Sequence, residues 1–179
     1  GTWSERKKIV ASDRDEYDNF GFSVAISGNY AIVGAYNEDH DANGTNYKSN
    51  AGSAYIFERN TDGTWNQTET QKIVASDRDE NDEFGISVAI SGNYVIVGAH
   101  NGNSAGSAYI FERNTNGTWN QNETQKIVSS DRVNSDNFGA SVAISGNYAI
   151  VGAYSEDPDG IANAGSAYIF ERNTNGTWT

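Results

Sequence analysis

The strongest constraint on this chain is a stretch that it spells three times. Phe84-Gly85-Ile86-Ser87-Val88-Ala89-Ile90-Ser91-Gly92-Asn93-Tyr94-Val95-Ile96-Val97-Gly98-Ala99-His100 returns, nearly unchanged, as residues 20–36 and 138–154. In each copy Ser-Gly-Asn interrupts an apolar run, a tight-turn signal between two short strands. Phe84, Ile86, Val88 and Ile90 fall on one side of a period of two, with Gly85, Ser87 and Ala89 on the other. That period belongs to a strand, and the small-residue side lets a neighbouring sheet come close. Repeats of this kind bury their faces by stacking on one another, so the working unit is a repeat in a series.

Each repeat continues past the turn in the same order. Gly52 to Glu58, Gly106 to Phe111 and Gly165 to Glu171 are rich in β-branched and aromatic residues and read as third strands. A fourth strand is expected from Trp65 to Val74 and from Trp119 to Val128. The opening residues, Gly1-Thr2-Trp3 through Val10, match that fourth strand, and Gly176-Thr177-Trp178-Thr179 begins it again. The fold class is therefore all-β: propeller blades of four antiparallel strands, three to a chain. They span residues 11–74, 75–128 and 129–179, and the last lacks its outer strand.

Closed propellers contain roughly 4–8 blades, and six is the one multiple of three in that range. The expectation is a homodimer forming a six-bladed ring, in which residues 1–10 of each copy complete the third blade of the other. Trp3, Ile9, Val10, Tyr168, Phe170 and Trp178 are the assembly residues of this scheme. An open stack and a fragment of a longer propeller are its alternatives. With Gly1 where a methionine would stand, the sequence reads as a processed, excised or engineered piece.

One connection varies while the rest repeats. Asp13 to Asp77 is 64 positions and Asp77 to Asp131 is 54, and the difference lies between the second and third strands. That loop runs from Asn37 to Asn50, shortens to Asn101–Ser104, and lengthens again to Ser155–Asn163. Variation confined to one connection marks it as surface and as the candidate binding edge. Tyr36, His40, Tyr47, His100 and Tyr154 are its candidate ligand contacts, for a protein or a glycan.

With 24 acidic and 12 basic side chains the formal charge is −12. Such a field disfavours a nucleic-acid backbone or an anionic membrane surface as partner. No apolar segment is long enough for membrane insertion. Cysteine is absent and only His40 and His100 are present, without a triad context, so an enzyme is not expected and no cofactor is required.

Asp13, Asp15 and Asp18, then Asp77, Asp79 and Asp82, then Asp131 and Asp136 recur in the polar connection before each first strand. Two readings fit them: oxygen ligands for calcium, or turn closure and ion pairs with Arg14, Arg78 and Arg132. Val133 stands where the second acid would be in the third repeat, which weakens a set of three equal cages. Trp3, Trp65, Trp119 and Trp178 could stack on sugars, as a lectin would, or more simply cover blade edges.

The sequence resembles the FG-GAP repeat family of bacterial surface proteins and integrin alpha propellers. The resemblance rests on Phe20-Gly21-x-Ser23-Val24 with Val33-Gly34-Ala35 and on Gly52-Ser53-Ala54-Tyr55-Ile56-Phe57. It is repeated in Phe84-Gly85-x-Ser87-Val88 with Val97-Gly98-Ala99, and in Phe138-Gly139-x-Ser141-Val142 with Val151-Gly152-Ala153. The resemblance implies a propeller used for recognition or adhesion outside the cell or on its surface. It also implies calcium in an acidic loop between the first two strands of a blade. Here that loop is only Ser27-Gly28-Asn29 or its equivalents, too short and too poor in carboxylates, so the site is not carried over. A self-assembling unit with no ligand is the rival reading.

Overall fold

The computed structural model describes residues 1–179 and contains three antiparallel sheets in series. β1 (Ser23–Ser27), β2 (Tyr30–Ala35), β3 (Ser53–Glu58) and β4 (Gln71–Ile73) lie side by side in that order. β5 (Ser87–Ser91), β6 (Tyr94–Ala99), β7 (Ser107–Glu112) and β8 (Gln125–Ile127) repeat the arrangement. β9 (Phe138–Ser145), β10 (Tyr148–Ala153) and β11 (Ser166–Glu171) form a sheet of three. The three sheets are propeller-like blades.

The first hairpin of each blade turns on two residues. Ser27 pairs with Tyr30 across Gly28-Asn29, and Gly28 stands at φ 58°. A positive φ at the first turn position is the II′ pattern, whose twist matches that of the strands it joins.

Alternation along the strands gives every blade two different faces. On the first blade Ile32, Ala54, Ile56 and Ile73 form one of them, and they pack with Val88, Ile90, Val97, Tyr109 and Phe111 of the second. The second blade turns Ile96, Ala108, Ile110 and Ile127 toward Phe138, Val142, Ile144, Val151 and Phe170 of the third. Each large side chain buried this way contributes roughly 1.5–3 kcal/mol.

Small residues bring the blades close at one point. A Cβ on Gly34 would lie 1.9 Å from the carbonyl oxygen of Gly85, and one on Gly98 equally near that of Gly139. Beside them the Ser23 hydroxyl donates to Gly85 O at 2.6 Å and the Ser87 hydroxyl to Gly139 O at 2.7 Å. Single parallel bridges, Gly52 with Phe84 and Gly106 with Phe138, run from blade to blade.

Two elements differ from the sequence expectation. The Phe-Gly pairs precede β1 and β5 in the first two blades, whereas Phe138 and Gly139 lie inside β9 across a register shift. Gly21, Gly85 and Gly139 hold φ of 95°, 94° and 96°, a kink that turns each phenylalanine back over its own sheet. Phe84 thereby sits edge-on to Tyr109 and Phe111. The fourth strand is also shorter than expected: Trp65 and Trp119 make only isolated bridges, to Arg59 and Arg113, and ladder pairing waits until Gln71 and Gln125. The intervening Asn, Gln and Thr residues have no apolar face to bury.

Both ends of the series stay open. Val24 and Ile26 on the first blade are 67% and 69% exposed, and Ile150 and Ile169 on the third are 41% and 70% exposed. Residues 1–10 form no strand within the chain, and Val10 N–H donates to Gln67 O at 2.9 Å.

Candidate functional site

Because Ser23 pairs with Gly34 and Ala35 with Ser53, the loop before β1 and the loop between β2 and β3 emerge at the same end of the blade. The rim therefore carries both the acidic connections and the variable loops. They are tied together across blades: Arg78, buried, donates to Asn46 O at 2.6 Å and to Asp39 O at 2.8 Å in the long loop of the first blade. Arg132 donates in the same way to Gly102 O and Asn103 O.

The rim carboxylates already have protein partners. Asp18, Asp82 and Asp136 are buried and each closes its loop by accepting the backbone N–H three residues back, from Asp15, Asp79 and Val133. Burial pushes the Asp18 and Asp82 carboxyls above their ordinary value. Asp13, Asp77 and Asp131 accept the hydroxyls of Tyr55, Tyr109 and Tyr168. Burial pulls the Asp13 and Asp77 carboxyls up, but hydrogen bonds and charge from Lys72 and Lys126 outweigh it, and both end below the ordinary value. Asp15 and Asp79 face solvent, Asp79 paired with Lys48 at 3.1 Å. No group of three His, Asp or Glu side chains is arranged to hold a metal ion.

A denser polar knot lies beneath the first loop. Lys72 Nζ is 2.7 Å from Asp13 Oδ2 and 2.6 Å from Glu38 Oε2, and Glu38, 1% exposed, also accepts the Ser53 hydroxyl. In the second blade Lys126 keeps Asp77, but Gly102 stands where Glu38 would, and the buried Ser107 hydroxyl has no partner. In the third blade Glu156 and Ser166 restore the pair, with no lysine beside them. Sequence inspection passed over this knot; the signal was Glu at the third position after Gly-Ala in two repeats of three.

The candidate ligand residues divide into three places. Tyr36 meets Phe22 edge-on at 4.6 Å. His40 and Tyr47 meet at 5.6 Å within the long loop, His40 Nδ1 lying 3.5 Å from Glu38. His100 and Tyr154 line an open cleft of about 760 Å³ with Phe22, Ile86 and Ala140. His100 Nε2 is held 3.2 Å from Glu83 while its buried Nδ1 is unpartnered. Phe22, Ile86 and Ala140 were not anticipated, although the residue after Phe-Gly changes in every repeat while its neighbours persist.

The assembly residues divide too. Trp178 is buried edge-on to Tyr94 of the preceding blade at 5.8 Å, with Arg172 over the same ring, as Trp119 and Arg113 sit on Tyr30. Tyr168 and Phe170 pack on Phe138. Ile9 packs beside the cluster of Ala11, Val33, Tyr55 and Phe57, Val10 is half-buried, and Trp3 is fully exposed.

Serial blades with loops gathered on one rim define a repeat-built scaffold rather than a catalytic pocket. The FG-GAP repeat matches residues 3–57, 67–111 and 121–170, and the chain belongs to that family, a non-catalytic repeat module. No curated protein matches the chain. No helix is long and apolar enough to cross a membrane.

Proposed function

We propose that the chain is an extracellular or cell-surface recognition module whose ring of six blades is completed by a second copy and whose variable rim loops meet the ligand. The observation that carries this reading is the division of labour within each blade. Strands, Gly-Ser junctions and tyrosine-aspartate pairs repeat, while the loops at 37–50, 101–104 and 155–163 and the cleft positions Phe22, Ile86 and Ala140 do not. A scaffold held constant beneath a changing surface suits recognition of a protein or glycan. The rim carboxylates serve as loop closers in this reading, and calcium is not needed to fold it.

The test is a glycan array together with matrix-protein coatings, probed with the whole chain and with a variant whose loop 155–163 is replaced by the short loop 101–104. Binding by the first and not the second is expected. Silence across both panels would favour a unit built only to assemble.

A further inference from the structure

In the third blade the acidic pair Asp131 and Glu156 has no lysine beside it, unlike Asp13 with Glu38 and Asp77 in the other two. We propose that Lys8 of a second copy enters between Asp131 and Glu156, carried on residues 7–9 as the fourth strand of the third blade. This deepens the six-blade reading by naming the group that closes the ring.

Equivalence within the molecule supports it. Gln71-Lys72-Ile73 and Gln125-Lys126-Ile127 are β4 and β8, and the same pattern occurs elsewhere only as Lys7-Lys8-Ile9. Lys72 enters its pocket against Asp13, Glu38 and the Tyr55 ring. The third blade presents the matching acceptors: Asp131 held by the Tyr168 hydroxyl at 2.8 Å, and Glu156, 8% exposed, held by Ser166. The chain also enters the first blade along the path used at the second. Ser12 grips Glu69 through backbone N–H and hydroxyl, as Ser76 grips Glu123. Lys8 thus precedes the first blade as Lys72 precedes the second.

The faces agree with the strand. Val88 and Ile90 are buried because the first blade covers them, and Ile96 and Ile110 because the third does. Their equivalents Val24 and Ile26 at one end, and Ile150 and Ile169 at the other, are exposed and form the two halves of the same junction. Its polar part is equally divided. Ser141 and Gly152 stand as Ser23 and Gly34 do, without a following carbonyl against them, and a Cβ on Gly21 would meet nothing within 4 Å. Docked as the internal blades are, Ser141 donates to Gly21 O of the second copy and Gly165 bridges to its Phe20. The ladder of β4 with β3 then sets the register as Lys7 with Ile169, Lys8 with Tyr168 and Ile9 with Ala167.

The chain has no cysteine, so a disulfide trap is unambiguous. Ile9→Cys combined with Ala167→Cys should yield a disulfide-linked dimer on mild oxidation, and Ile9→Cys with Ile169→Cys should not. Lys8→Glu, at an exposed position outside the core, should leave the melting of the single chain unchanged and weaken dimerisation by about a hundredfold or more. A dimer indifferent to Lys8→Glu and untrapped by the cysteine pair would overturn the pocket while leaving the ring intact. A monomer at every concentration would overturn both.

Discussion

Lys72 Nζ stands 2.6 Å from Glu38 Oε2, and both side chains are almost wholly buried. A carboxylate so placed depends on its partner, because removing one member of a buried pair leaves an uncompensated charge that costs about 3–5 kcal/mol. Lys72→Met should therefore lower stability by about that much in urea unfolding. Lys126→Met leaves behind only the half-exposed Asp77 and should cost about 1 kcal/mol or less. Equal losses would show that Glu38 does not set the difference.

The two ends of the Gly-Ser junction separate folding from assembly. Gly98→Ala would drive a Cβ into the backbone of the third blade and should destabilise the chain by several kcal/mol, about the upper range for single substitutions. Gly152→Ala meets only the Ser141 hydroxyl, a group that can rotate away. Thermal melting of the isolated chain should hardly register it, whereas the mass in solution should fall.

The acid limb of the stability curve follows from two kinds of carboxylate. Asp13 and Asp77 titrate below the ordinary 3.8 when folded, so their contribution is present above that pH and is lost as pH falls through the folded value. Asp82 is raised by burial, so its contribution runs the other way and is lost as pH rises through the raised value. Asp82→Asn should accordingly be more stable than the parent at pH 7, with the advantage shrinking on acidification. Urea midpoints at pH 7 and pH 4 measure it, and an advantage that grows toward acid would contradict the assignment.

Calcium titration should produce no heat, and chelation should leave the melting temperature unchanged. The carboxylates on the rim are committed to Tyr hydroxyls, lysines and loop N–H groups. A saturable heat abolished by Asp13→Asn would reverse this.

Much of the blade was legible in the sequence, because period-two runs and a Gly-Asn turn are local signals. The short β4 was not: Trp65 looked like the start of a strand, yet its neighbours have no apolar face to bury, and pairing begins only at Gln71. The Phe-Gly kink was hidden for a different reason, since alternation says nothing about the sign of φ at Gly85. Among site residues, the aspartates were visible but their partners were not. Lys72, Glu38 and Ser53 are far apart in the chain and meet only once the strands align. The cleft positions depend on three blades converging, which no single repeat encodes.

In the proposed assembly an open series of three blades becomes a ring by pairing with its own kind. Sedimentation equilibrium across a range of concentrations tests it most directly. The closed ring predicts a species of twice 19.4 kDa that does not grow further, and a chain that stays at 19.4 kDa throughout, or one that extends into an open polymer, would contradict it.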